Sequence, residues 1–165
     1  MILPIRRWPD PVLLIECEPW QGDPAAEQLI ADLTDTIKAH RALGLAANQI
    51  GISRRVMAIW VQESDEIIIM FNPCVISESA EKYLRNEGCL SFPDVWLDIA
   101  RPKYVELQWQ DASGVITTRQ FQDLDAKCVL HELEHLDGRV YTQHVSQAKF
   151  LLARKKAVAK QRKKR

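Results

Sequence analysis

The stretch Asp123–Leu136, DLDAKCVLHELEHL, decides how the rest of the chain is read. It predicts a helix with acids in its first turn and Gly138 just past its end, where acids and a terminating glycine favour helix ends. In a helix, residues four apart share a face. His131 and His135 can therefore grip one metal ion, with Glu132 beside them as a base. Four His and eleven Glu in 165 residues make a His-Glu-x-x-His pattern a chance event of about 0.006 occurrences. The competing reading is a pair of surface histidines on an acidic helix.

Two histidines do not complete a catalytic metal site, which needs a third protein ligand and an open position for water. Common HExxH proteases supply that ligand downstream, as an acid or as the last His of HExxHxxGxxH. Neither option exists here: no Asp or Glu follows Asp137, and the residue three beyond Gly138 is Tyr141. His144 remains open as a ligand. Otherwise the ligand comes from upstream, and the best candidate is Cys89 in Glu87-Gly88-Cys89-Leu90-Ser91. A glycine before it lets backbone approach closely, and a thiolate suits Fe²⁺ or Zn²⁺. Taken alone, a cysteine is more often a buried thiol. The others, Cys17, Cys74 and Cys128, form no CxxC pair, and no disulfide framework is expected.

The chain has 165 residues, 18.9 kDa and 47% apolar side chains, enough for one core without staples and too much for disorder of the bulk. Its longest apolar runs, Val56–Val61 and Ile67–Phe71, are too short to span a bilayer. The opening MILPIRRWPDPV lacks an apolar stretch with a small-residue cleavage site, so a cytoplasmic protein is expected. The net charge of zero conceals an asymmetry. Lys149–Arg165 holds nine Lys/Arg and no acid, leaving residues 1–148 with 13 basic and 22 acidic side chains, a net of −9. We expect a single catalytic domain over 1–148, continued by a basic C-terminal helix or tail over 149–165. A solvated helix face is the plain reading of the tail, and an arm for RNA or phosphate the sharper one.

Residues 1–22 hold four of the eight prolines and read as an extended arm. Asp23 is expected to cap a helix with Pro24 at its first position and Ala26, Leu29, Ile30, Leu33 and Ile37 as its apolar stripe. Strands are expected at Val56–Val61, Glu66–Phe71, Val95–Ile99 and Tyr104–Gln110. A turn at Asp111-Ala112-Ser113-Gly114 leads into another at Val115–Phe121. A last helix starts near Ser146. Helices at both ends with strands between imply α+β, mainly antiparallel, around the central HExxH helix.

Three blocks in order, Gly44-Leu45-Ala46-Ala47-Asn48-Gln49, Glu87–Ser91 and His131–His135, make the sequence resemble peptide deformylase, whose patterns are GxGLAAxQ, EGCLS and HExDH. The resemblance covers nearly the whole chain. It implies that Cys89, His131 and His135 bind one metal ion with a water as fourth ligand. The ion is Fe²⁺ in native enzymes, with Zn²⁺, Ni²⁺ or Co²⁺ accepted by the same ligands. Glu132 then takes the water's proton, and the hydroxide attacks the formyl carbon of an N-formylmethionyl peptide. The Gln49 amide and the backbone N–H of Leu90 help to hold the oxyanion. Glu132 finally protonates the leaving amine. Glu87, Glu134 and Arg101 are expected behind the ligands, with Arg101 paired to Glu134. Leu43 and Gly44 offer a strand edge to the substrate, and Leu124 and Cys128 an apolar pocket for methionine. A monomer is expected, with no membrane partner, and the tail Lys149–Arg165 is a candidate ribosome contact.

The chain departs from the family at Ala42, where the pattern has its first glycine, at Glu134 in place of Asp, and at Leu130 in place of Gln. Arg85 and Lys127 flank the expected methionine pocket with charge. Two other functions compete: an HExxH zinc endopeptidase, and a ribosome-binding relative without activity.

Overall fold

The computed structural model describes residues 1–22 and 24–163. The arm is extended as expected, apart from a 3-10 turn at Pro11–Leu14, where Asp10 Oδ1 accepts from Val12 N–H at 3.0 Å. Helix α1 spans Ala26–His40. Its start corrects the expectation: Ala25 is the N-cap, and Pro24 lies in the preceding turn. The expected cap Asp23 lies outside the described residues.

Seven strands follow: β1 Gly44–Ala46, β2 Val56–Val61, β3 Glu66–Glu78, β4 Lys82–Cys89, β5 Phe92–Pro102, β6 Tyr104–Gln110 and β7 Ile116–Gln122. Five form an antiparallel sheet in the order β1-β2-β3-β6-β7, and β4 pairs with β5 in a separate ribbon. Helix α2, Asp123–Leu136, lies against the large sheet, and helix α3 covers Gln147–Lys163. The architecture is α+β and mainly antiparallel, around the HExxH helix.

Strand alternation gives the sheet two apolar faces. On one, Met57, Ile59 and Val61 pack with Ala126, Val129, Leu133 and Leu136 of α2. On the other, Val56 and Ala58 pack with Leu29, Leu33 and Ile37 of α1, the stripe that the sequence predicts. Leu33 and Ile37 are fully buried, each contributing roughly 1.5–3 kcal/mol by the usual transfer scale. The ribbon builds a third cluster, in which Phe92, Val95, Leu97 and Ile99 of β5 meet Tyr141 and Ala157.

Strand β3 runs seven residues past its expected end. Asn72-Pro73 does not stop it but forms a bulge, with Asn72 at φ 49 and a register shift between Phe71 and Cys74. The Asn72 side chain accepts from Trp20 N–H (2.7 Å) and donates to Trp20 O (2.9 Å), which ties the arm to the sheet. The turn after β6 is as expected: Asp111 Oδ1 accepts from Ser113 N–H (2.8 Å) and Val115 N–H (3.0 Å), and Gly114 has φ 87. All four cysteines are free thiols.

Helix α3 begins beside Ser146, whose Oγ accepts from Lys149 N–H at 3.3 Å. The body is met by Phe150, Ala153 and Ala157, whereas Leu151, Leu152 and Val158 are exposed. The difference follows from helical spacing, since only the first three share one face. Lys160 Nζ lies 3.1 Å from Asp94, and Gln161 Nε2 donates to Pro93 O at 3.1 Å. Among the described residues, no helix is long and apolar enough to cross a membrane.

Candidate active site

Helix α2 and the β4–β5 ribbon bring the three expected ligands together. The donor atoms of Cys89, His131 and His135 all lie within 4.8 Å of one another. Cys89 Sγ is 3.2 Å from His135 Nε2. The cysteine closes β4, immediately before the two-residue turn of Leu90 and Ser91. Gly88 is needed there, because a Cβ would come within 2.9 Å of the Trp96 ring.

The donor set fits a soft to borderline divalent metal, one thiolate with two imidazoles. Its electrostatics agree. Burial alone would lower the His131 pKa, yet hydrogen bonds to Cys89 and Glu87 carry it well above the ordinary value. Burial and the nearby His131 hold His135 well below its ordinary value, leaving it neutral.

Behind the ligands runs a buried chain of ion pairs. Glu87 Oε2 lies 3.0 Å from His131 Nδ1. Both Glu87 oxygens accept from Arg101, at 2.8 and 3.1 Å, and Arg101 reaches on to Glu134 at 2.5 and 3.0 Å. Burial would raise the Glu87 carboxyl, but the hydrogen bonds from His131 and Arg101 bring it down to about 2. The added methylene of Glu134 is absorbed by this bidentate contact. His144 belongs here and not with the ligand cluster, with Nε2 2.6 Å from Glu134 Oε1.

Glu132 is 4% exposed, and its Oε2 has no hydrogen-bond partner. Burial pushes its carboxyl up to about 7, against the pull of His131 and a backbone N–H of Ala46. Gly44 makes room for it, since a Cβ there would meet Glu132 Cγ and Oε1 at 2.6 Å. Gln49 is buried in the 3-10 turn Ala47–Ile50 that follows β1. Its Oε1 accepts from Ala46 N–H at 2.8 Å, which turns Nε2 toward Ser91 Oγ (3.2 Å) and Cys89 Sγ (3.4 Å).

These groups open into a cavity of about 440 Å³. Leu43, Gly44, Gln49, Cys89, Leu90, Cys128, His131 and Glu132 line it. Burial pushes the Cys128 thiol well up, so it serves as an uncharged wall. Leu124 is a correction: it stands in the exposed first turn of α2, 39% accessible, and does not line the cavity. Arg85 is turned away too, to Asp123 at 3.4 Å and the Tyr83 ring. Lys127 does line the cavity and donates to Asn86 O at 3.3 Å. Ala42 lines it without a positive φ, so its methyl brings no left-handed strain. Leu130 packs on the core between α2 and the sheet.

Sequence reasoning missed Ser91 and Asn48. Asn48 Nδ2 donates to His135 O at 2.6 Å and locks the turn after β1 onto the ligand helix. Its place inside the GLAANQ block was the only available signal.

Comparison with known proteins agrees with this geometry. A curated peptide deformylase of Zymomonas mobilis subsp. mobilis is 34% identical over 163 residues, covering 94% of this chain and 92% of its own. The crystal structure of a peptide deformylase from Legionella pneumophila superposes with a TM-score of 0.91 at 31% identity, over 99% of this chain and 98% of its own. The Ehrlichia chaffeensis peptide deformylase in complex with actinonin gives 0.89 at 32% identity, over 98% of each chain. Residues 2–150 match the family model described as polypeptide deformylase. The chain therefore belongs to the peptide deformylase family, metal-dependent hydrolases that remove N-formyl groups.

Proposed function

We propose that this chain deformylates the N-terminal formylmethionine of newly made polypeptides, with Cys89, His131 and His135 holding one Fe²⁺ and Glu132 acting as base. The observation that carries the reading is the convergence of three donor atoms within 4.8 Å beside a buried carboxylate whose Oε2 is unpartnered. A divalent metal held there supplies a water whose pKa falls toward ~7, a nucleophile at neutral pH. Glu132 Oε2 takes that water's proton as its oxygen adds to the formyl carbon. The Gln49 amide and the backbone N–H of Leu90 donate to the oxyanion, and one such donor is typically worth ~2.7–4 kcal/mol. Glu132 then passes its proton to the amine nitrogen as the C–N bond breaks. Formate and a free amino terminus leave, and Glu132 is again ionised.

The substrate lies extended along β1, an edge strand of the sheet, so its backbone pairs with Leu43 and Gly44. Its methionine side chain rests against Cys128. Thiolate with two imidazoles also accepts Zn²⁺, Ni²⁺ or Co²⁺. Residues 1–148 act as one catalytic domain, and 149–165 as its basic helical extension. We infer a monomer working in the cytoplasm, where the basic helix meets phosphate-rich RNA at the ribosome surface. An HExxH endopeptidase gains no support, since His144 is engaged with Glu134 and no acid follows Asp137.

Metal analysis with an assay of formate release from formyl-Met-Ala-Ser tests this reading. One metal ion per chain and stoichiometric formate are expected, with most metal lost in Cys89→Ser. Full metal retention in Cys89→Ser, with loss in His144→Ala, would overturn the ligand assignment.

A further inference from the structure

The mouth of the catalytic cavity is positive although the body around it is acidic. Residues 1–148 carry a net charge of −9, yet Arg7, Arg41 and Lys127 all line this cavity. The carboxylates that line it are buried or paired. Glu87 and Glu132 are buried at its floor, and Asp94 lies 3.1 Å from Lys160. The charge presented to an entering peptide is therefore cationic.

A second, independent observation concerns Arg41. It is the C-cap of α1 at φ 50 and ψ 40, a left-handed conformation that glycine adopts without steric cost. Its N–H bonds to Ile37 O and Lys38 O, and Ala42 N–H bonds to Ile37 O at 3.0 Å. A strained arginine sits where glycine would be easier, at the rim of the site. Such an outlier directs attention to function.

The path of the peptide connects the two observations. Glu132 lies against Gly44, so the reacting end of the substrate is beside Gly44. Leu45 and Ala46 beyond it are fully buried, whereas Leu43, Ala42, Arg41 and His40 line the cavity. The cavity continues on the side of the latter, which gives the chain a path along Leu43 to His40. At about 3.3 Å per extended residue, two or three residues bring it level with Arg41 and His40. Lys127 stands on the α2 wall, one turn before His131.

We infer that this enzyme selects among formylmethionyl peptides by charge, favouring acidic side chains at the second and third positions, with Arg41 and Lys127 as specificity-determining residues. The inference rests on the deformylase reading above. It is tested with the metal-loaded full chain and three C-terminally amidated peptides, formyl-Met-Asp-Asp, formyl-Met-Asn-Asn and formyl-Met-Lys-Lys. At low salt, kcat/KM should be highest for Asp and lowest for Lys, with about 5- to 10-fold between Asp and Asn, carried by KM. The ratio should collapse at high salt. Calorimetric affinities of the deformylated peptides should follow the same order. Arg41→Gly, which keeps the left-handed backbone and removes the charge, should at least halve the Asp-to-Asn ratio, as should Lys127→Gln. Arg119→Gln, a cation on β7 paired with Glu66, should leave the ratio unchanged. Equal kcat/KM for all three peptides, or an unchanged ratio in both variants, overturns the inference while deformylation stands. No formate from any peptide removes the deformylase reading and this inference with it.

Discussion

His131 Nδ1 lies 3.0 Å from Glu87 Oε2. A carboxylate can only accept, so this contact places a proton on Nδ1 and turns Nε2 toward the site shared with Cys89 and His135. Glu87 is itself held by two hydrogen bonds from Arg101, which Glu134 grips from the other side. The ligand's orientation is thus set by a buried network.

Glu87→Gln keeps an acceptor near His131 but removes the charge that holds Arg101. Metal affinity is expected to fall about 10- to 100-fold, measured by competition with a chelator. The same variant should melt earlier, because Arg101 is left partly uncompensated in a buried position. Unchanged affinity would show that Glu87 does not orient His131.

Gly44→Ala tests the room that Glu132 needs. The added methyl would fall 2.6 Å from Glu132 Cγ and Oε1, so the carboxylate must shift. A displacement on the order of 1 Å can cost about 10²-fold in rate. Formate release should fall by roughly that factor while bound metal, measured by elemental analysis, stays near wild type. A fully active variant would mean that the carboxylate's position is not critical.

Much of the site was legible because its chemistry sits in short runs. The i, i+4 spacing of His131 and His135 needs only a helix, and α2 covers the expected span Asp123–Leu136. Glu134 and Arg101 pair as expected. The strand that delivers Cys89 was not legible. Lys82–Cys89 reads KYLRNEGC, with no apolar alternation, because β4 pairs with β5 alone and half of its residues are exposed. Leu124 was misplaced because helical phase alone puts it above Cys128, and only the structure shows that the helix has not yet entered the protein there. The bulge at Asn72 was hidden for another reason: Asn-Pro ordinarily ends a strand, and its contact with Trp20 is 52 residues away in sequence.

Iron beside a thiolate exposes both metal and sulfur to oxidation. The Fe²⁺-loaded protein should lose activity in air faster than the Ni²⁺-loaded protein, and the difference should vanish without oxygen. Equal half-lives in air would count against iron as the native metal.

The basic helix offers a separable test. Lys155, Lys156, Arg162 and Lys163 lie in α3, whereas Lys160 is tied to Asp94. Exchanging those four for Gln should lower co-sedimentation with ribosomes at low salt and keep turnover of a short formyl peptide. Unchanged sedimentation would remove the proposed ribosome contact.

The role of Glu132 is the central claim, and one paired measurement tests it most directly: formate release from formyl-Met-Ala-Ser by wild type and Glu132→Gln, with metal quantified in both. The expected result is about one metal ion per chain in each protein and a rate lower by roughly 10²–10⁴-fold or more in the variant. Near-wild-type turnover by a Glu132→Gln protein that holds its metal would contradict it.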